Sequence, residues 1–66
     1  MYDGRKFVVE LFNILTSEFE ELTAEVVGTM SGYDGNSDIL QVMYSDGAVK
    51  DLFIPSFEKQ IIREIV

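Results

Sequence analysis

Apolar residues recur along the first third of the chain at helical spacing. Phe7, Leu11, Leu15 and Leu22 fall on one stripe with Val8, Phe12 and Phe19 beside it, the signature of a 3.6-residue period. At 100° per residue the apolar arc from Ile14 round to Phe12 is roughly 160° wide, and Val9 widens it further. The pattern predicts a helix over residues 3–22. Glu18 falls inside the arc, and Ser17-Glu18-Phe19-Glu20 has the form of an N-terminal capping box. A helix restarting at Ser17 is the alternative; a single helix is the reading adopted.

The pattern then shifts towards strands. Val26, Val27, Thr29 and Met30 give residues 24–31 strong β-propensity, and residues 32–37 have the composition of a loop. Residues 38–45 and 48–54 read as two further strands joined at Asp46-Gly47, which predicts a type I′ hairpin turn. Leu40, Val42 and Tyr44 share one face, and Ile39, Gln41 and Met43 share the other. Neither face is cleanly polar, so both sides of this sheet are expected to be at least partly covered. Pro55 ends the third strand. Ser56 then reads as an N-cap, with Phe57, Ile61, Ile62, Ile65 and Val66 at helical spacing and Glu58 and Arg63 placed to suit the helix dipole.

The expected fold is therefore α+β: a three-stranded antiparallel β-meander with an N-terminal and a C-terminal helix, α-β-β-β-α, in a single domain spanning residues 1–66. The alternative turns residues 61–66 into a final strand, giving an N-terminal helix plus a small SH3-like barrel. The hairpin over residues 38–54 resembles those of SH3-like and Tudor-like barrels. Alternating strands around Asp-Gly are common to many folds, so the resemblance names no family.

Length and composition narrow the function classes. A chain of 66 residues buries only about 60% of its unfolded surface, which leaves a small core. Cysteine and histidine are both absent, removing disulfides, thiolate metal sites and the usual neutral-pH base. Twelve Asp and Glu against five Lys and Arg give a net charge of −7. Nucleic acid and anionic membrane are disfavoured by that sign, which also keeps a small protein soluble. Residues 1–6 followed by the apolar run to Leu15 have the outline of a signal peptide, but Glu10 and Asn13 interrupt it. A cytoplasmic location is expected.

Candidate chemistry is sparse. Asp34, Asn36 and Asp38 resemble part of a calcium loop, but Met30, Gly32 and Gln41 would occupy its first, third and twelfth positions. A weak calcium-binding module is thus one alternative, with turn-forming residues the simpler account. Glu18 is the sole carboxylate placed for a burial-raised pKa, no base stands ready to activate Ser or Thr, and the five glycines form no phosphate loop. No catalytic residue, cofactor or metal is assigned, and an enzyme is not expected.

The apolar surface exceeds what so small a core needs, and surplus of this kind marks interaction surfaces. Val9, Phe12, Phe19, Tyr33, Met43 and Phe53 are the expected contact residues, rimmed by Glu18, Glu20 and Glu21. The sequence reads as a small acidic, non-catalytic protein–protein interaction module, expected to be homodimeric, whose protein partner it does not name. By analogy it suits inhibitors, antitoxins or accessory subunits, including those of phages and mobile elements. An SH3-like nucleic-acid-associated module is the second alternative.

Overall fold

Strands, rather than helices, dominate the protein. The computed structural model describes residues 2–32 and 38–66. In chain order they form β1 (Lys6–Asn13), β2 (Glu18–Ser31), β3 (Asp38–Tyr44), β4 (Val49–Phe53), a single short helix α1 (Ile54–Glu58) and β5 (Ile61–Ile65). All neighbouring strands are antiparallel, in the order β4-β3-β2-β1-β5.

This corrects the α-β-β-β-α expectation at both ends. Residues 3–22 hold no helix; they hold β1, a tight turn and the start of β2. The stretch from Phe7 to Leu15 is so rich in apolar residues that it satisfies more than one period. β-Branched and aromatic side chains, favoured on a pleated surface, decide for strand: Phe7 and Val9 point into the core, while Lys6 and Glu10 face water. The apparent capping box is the far side of a turn, with Ser17 in the left-handed region at φ 56°. At the other end, α1 begins two residues before Ser56. Pro55 occupies its first turn, where a missing N–H is harmless and the fixed φ suits a helix. Residues 61–65 then leave as a strand beside β1, as the barrel alternative required, although the N-terminal helix of that alternative is absent.

The strands over residues 38–44 and 49–53 stand where the alternation put them, with Leu40, Val42 and Tyr44 inward. Their turn differs from the expected type. Gly47 N–H donates to the Tyr44 carbonyl at 2.9 Å and Tyr44 N–H to the Ala48 carbonyl at 2.8 Å. Only Gly47, at φ 93°, is left-handed. This is a three-residue loop, a type I turn closed by a glycine bulge.

β2 organises the molecule. Residues 18–25 pair with β1 and residues 24–31 with β3, the register slipping around Val27. Such a bulge bends a strand and increases its twist, so β2 passes from one half of the curved sheet to the other. Phe7, Val9, Ala24, Val26, Leu40, Val42, Tyr44 and Phe57 form the core in the curve. Phe57, fully buried, closes it from α1, its ring edge-on to Phe7 at 5.4 Å and to Tyr2 at 6.2 Å. The Tyr44 hydroxyl donates to Gln60 Oε1 at 2.8 Å; burial pushes its pKa above the ordinary tyrosine value.

The segment before β1 is clipped onto β2. Gly4 N–H donates to the Val26 carbonyl, Val26 N–H to the Arg5 carbonyl, and Thr29 Oγ1 to Asp3 Oδ1 at 2.6 Å. Arg5 grips Glu64 with two hydrogen bonds of 2.7 Å, and its guanidinium lies over the Tyr2 and Phe7 rings. That hydrogen-bonded pairing holds the Glu64 carboxyl below its usual pKa. Tyr2 donates to Glu58 Oε2 at 2.6 Å, which raises the phenol.

Candidate interaction surface: the projecting hairpin

β1 and β2 run on together past the rest of the sheet. β5 accompanies β1 only from Lys6 to Val9, with one last bond from Glu10 N–H to the Gln60 carbonyl at 2.8 Å. β3 accompanies β2 only from Ala24 onward, ending with Ser45 N–H donating to the Thr23 carbonyl. Among the described residues, the pairs Leu11/Glu20, Phe12/Phe19 and Asn13/Glu18 have no third strand on either side, and Glu10/Glu21 has only the Glu10–Gln60 bond beside it; together these four pairs extend the ribbon. At about 3.4 Å per residue they make a two-stranded arm roughly 14 Å long. The radius of gyration of 12.0 Å exceeds the roughly 11 Å of a compact chain this size, and the principal extents are 37 × 27 × 19 Å.

Turn chemistry shapes the tip. Asn13 Oδ1 accepts from Leu15 N–H at 2.9 Å, and Thr16 Oγ1 reaches the Asn13 carbonyl. Asn side chains form such local turns readily. Ser17 takes the left-handed position that lets the chain return. Ile14 and Leu15 are thereby held out in solvent, 79% and 91% exposed. Behind them Phe12 and Phe19 lie opposite each other, 52% and 66% exposed, with ring centroids 5.2 Å apart at 67°. This edge-to-face pair is worth about 0.5–1.5 kcal/mol and leaves much of both rings open.

The arm is also acidic. Glu10, Glu18, Glu20 and Glu21 stand on it without a single Lys or Arg. Glu10 and Glu21 are directly opposite, a like-charge arrangement that destabilises a strand pair. Asn13 Nδ2 donates to Glu20 Oε1 at 3.0 Å.

The expected contact residues are distributed as follows. Phe12, Phe19, Glu18, Glu20 and Glu21 come together on the arm. Val9 is withdrawn from the surface: strand alternation turns it inward, and it is fully buried. Met43 and Phe53 are exposed on the outer face of β3 and β4, in cross-strand rows with Val49 and Ile39 respectively. Tyr33, Asp34 and Asn36 lie outside the described residues. Sequence reasoning missed Ile14 and Leu15, because the helical stripe gave both an interior role. The signal available was Asn13 and Ser17, two turn formers bracketing them.

Little among the described residues suits a small ligand. A shallow depression of about 130 Å³ where the arm leaves the sheet is lined by Lys6, Thr23, Glu25, Met43, Tyr44 and Ser45, well short of the several hundred Å³ of ligand pockets. Among the described residues no buried side-chain nitrogen or oxygen lacks a partner, and no cluster of acidic side chains is arranged to hold a metal. No helix among them is long and apolar enough to cross a membrane. Comparison with protein-family models, curated proteins and solved structures gave no significant match.

Proposed function

We propose that the protein is a non-catalytic protein–protein interaction module and that the arm of residues 10–22 is its contact element. One observation carries the reading: Phe12, Ile14, Leu15 and Phe19 are exposed together at the end of a ribbon that projects from the core. Burying a side chain of this size is worth about 1.5–3 kcal/mol, so a partner covering all four gains several kcal/mol. The acidic flanks favour a protein over a nucleic acid or an anionic membrane.

The test is capture from a lysate of the native cell, comparing the unaltered protein with a Phe12→Ser/Phe19→Ser variant. Neither ring belongs to the buried core, so the variant should remain folded while losing the captured species. Equal capture by both proteins would remove the arm from the interaction.

A second reading, self-association, rests on the outer face of β2–β4. Met30, Ile39 and Phe53 form one row there, and Met43 with Val49 another. Light scattering across a wide concentration range tests it: a persistent dimer that Phe53→Ser dissociates supports this face as the contact, and a monomer throughout dismisses it.

A further inference from the structure

We infer that the free edge of β2 along residues 18–22 takes up an extended, basic segment of the partner protein as an additional antiparallel strand. This deepens the proposed function and rests on it. The edge has the backbone for the task. Thr23 turns both its carbonyl and its N–H towards Ser45, the carbonyl accepting Ser45 N–H and the N–H donating to Ser45 Oγ. Backbone direction alternates along a strand, so Glu21 and Phe19 present their N–H and C=O groups on that same side. β3 has already ended there. An incoming strand prolongs the line of β3 beyond Ser45 and pairs with these groups, the mode known as strand addition.

The side chains define what fits. Phe19 and Glu21 lie on one face of the arm, while Glu18, Glu20 and Leu22 lie on the other. Directly opposed residues on a shared face set the pairing energy. The edge therefore calls for cations opposite Glu18, Glu20 and Glu21, and apolar residues opposite Phe19 and Leu22. Read antiparallel, that is apolar-basic-basic-apolar-basic.

A second copy fits poorly. Antiparallel pairing of two such edges about their centre sets Glu20 against Glu20 and Phe19 against Glu21. The other outer edges are less selective: β4 carries Lys50 beside Asp51, and β5 carries Arg63 beside Glu64.

The experiment uses the full chain, isotopically labelled, with a capped synthetic peptide containing Val-Lys-Lys-Val-Lys. Amide shifts and hydrogen exchange are followed by NMR. Exchange should slow at Phe19 and Glu21, whose N–H groups face the open edge, and change little at Glu20 and Leu22, which already pair with β1. Replacing the peptide lysines by glutamate, or its valines by serine, should weaken binding at least tenfold. The same loss is expected in a Glu20→Lys/Glu21→Lys protein. Glu21→Pro removes one of the two outward donors without touching the β1 ladder and serves as an independent variant, its fold checked by unchanged core resonances.

Shifts confined to Ile14 and Leu15 would overturn strand addition while leaving the arm as the contact. Slowed exchange at Phe19 and Glu21 that grows with protein concentration, without peptide, would make a second copy the occupant and overturn the heterologous assignment. Equal binding of the lysine and glutamate peptides would overturn the basic character of the partner.

Discussion

Two left-handed residues carry opposite expectations. Gly47, at φ 93°, has open space where a Cβ would stand, so Gly47→Ala costs only the conformational penalty, about 1–2 kcal/mol. Ser17 bears that penalty already. Ser17→Gly should raise stability by a few tenths to about 1 kcal/mol, offset in part by the freer unfolded chain. For a domain this size 1 kcal/mol moves the melting temperature by about 4–8 °C, so thermal melts of the two variants should move in opposite directions. Ionisation gives a further expectation. The raised phenols of Tyr44 and Tyr2 contribute stability that is complete below the ordinary value of 10.0 and is lost as pH climbs through their folded values. The lowered Glu64 contributes above the ordinary 4.5 and is lost as pH falls through its folded value. A melting-temperature profile should therefore fall at both extremes. Tyr44→Phe should lower the plateau and soften the alkaline limb, and Arg5→Gln should soften the acid limb.

At the scale of elements, the arm and the core should respond differently to truncation. Phe12→Ala removes one exposed aromatic pair and should cost about 1 kcal/mol. Phe57→Ala empties the centre of the core and should cost about 3–5 kcal/mol, a large share of what a small domain has. Urea titrations of both proteins distinguish the two cases. Glu10→Lys turns the Glu10/Glu21 repulsion into an attraction and should stabilise by about 0.2–1 kcal/mol. The legibility of the sequence also divides by element. Along β3 every second residue, Leu40, Val42 and Tyr44, is inward, and the turn to β4 carries its own Asp-Gly signal, so period and punctuation agreed. In residues 7–22 they did not. Nine residues from Phe7 to Leu15 include seven apolar ones, and a run that dense fits a helix stripe as readily as a strand. Glu18 within the supposed buried arc was the inconsistent residue, and the strand assignment removes the conflict by placing it in water opposite Asn13. Residues 61–65 failed to alternate cleanly because the register of β5 slips beside Val8 and Val9, and a bulge breaks a period of two. Of the side chains expected at a contact surface, the aromatic Phe12 and Phe19 and the acidic Glu18, Glu20 and Glu21 are exposed. Their grouping on one ribbon depended on pairing across a turn that the helical reading had erased.

For the whole molecule, charge is distributed as unevenly as shape. Between Lys6 and Lys50 there is no Lys or Arg, and the arm lies within that interval. Net charge of this size opposes compaction through self-repulsion. Raising ionic strength from about 0.01 M to about 0.15 M shortens the Debye length from about 30 Å to about 8 Å, and the melting temperature should rise over that range. The projection of the arm has a last consequence, which concerns inheritance rather than energy. Among the described residues, none of the eight buried core side chains falls within residues 10–22, and of that stretch Leu11 and Leu22 pack against the core from its edge. If the arm is the contact element, mutations at its positions other than Leu11 and Leu22 alter whom the molecule meets at little cost to the core. On that reading, selection on recognition and selection on folding act largely on separate stretches of one short chain, and the exposed tip of the arm is where descendants of this sequence are free to diverge.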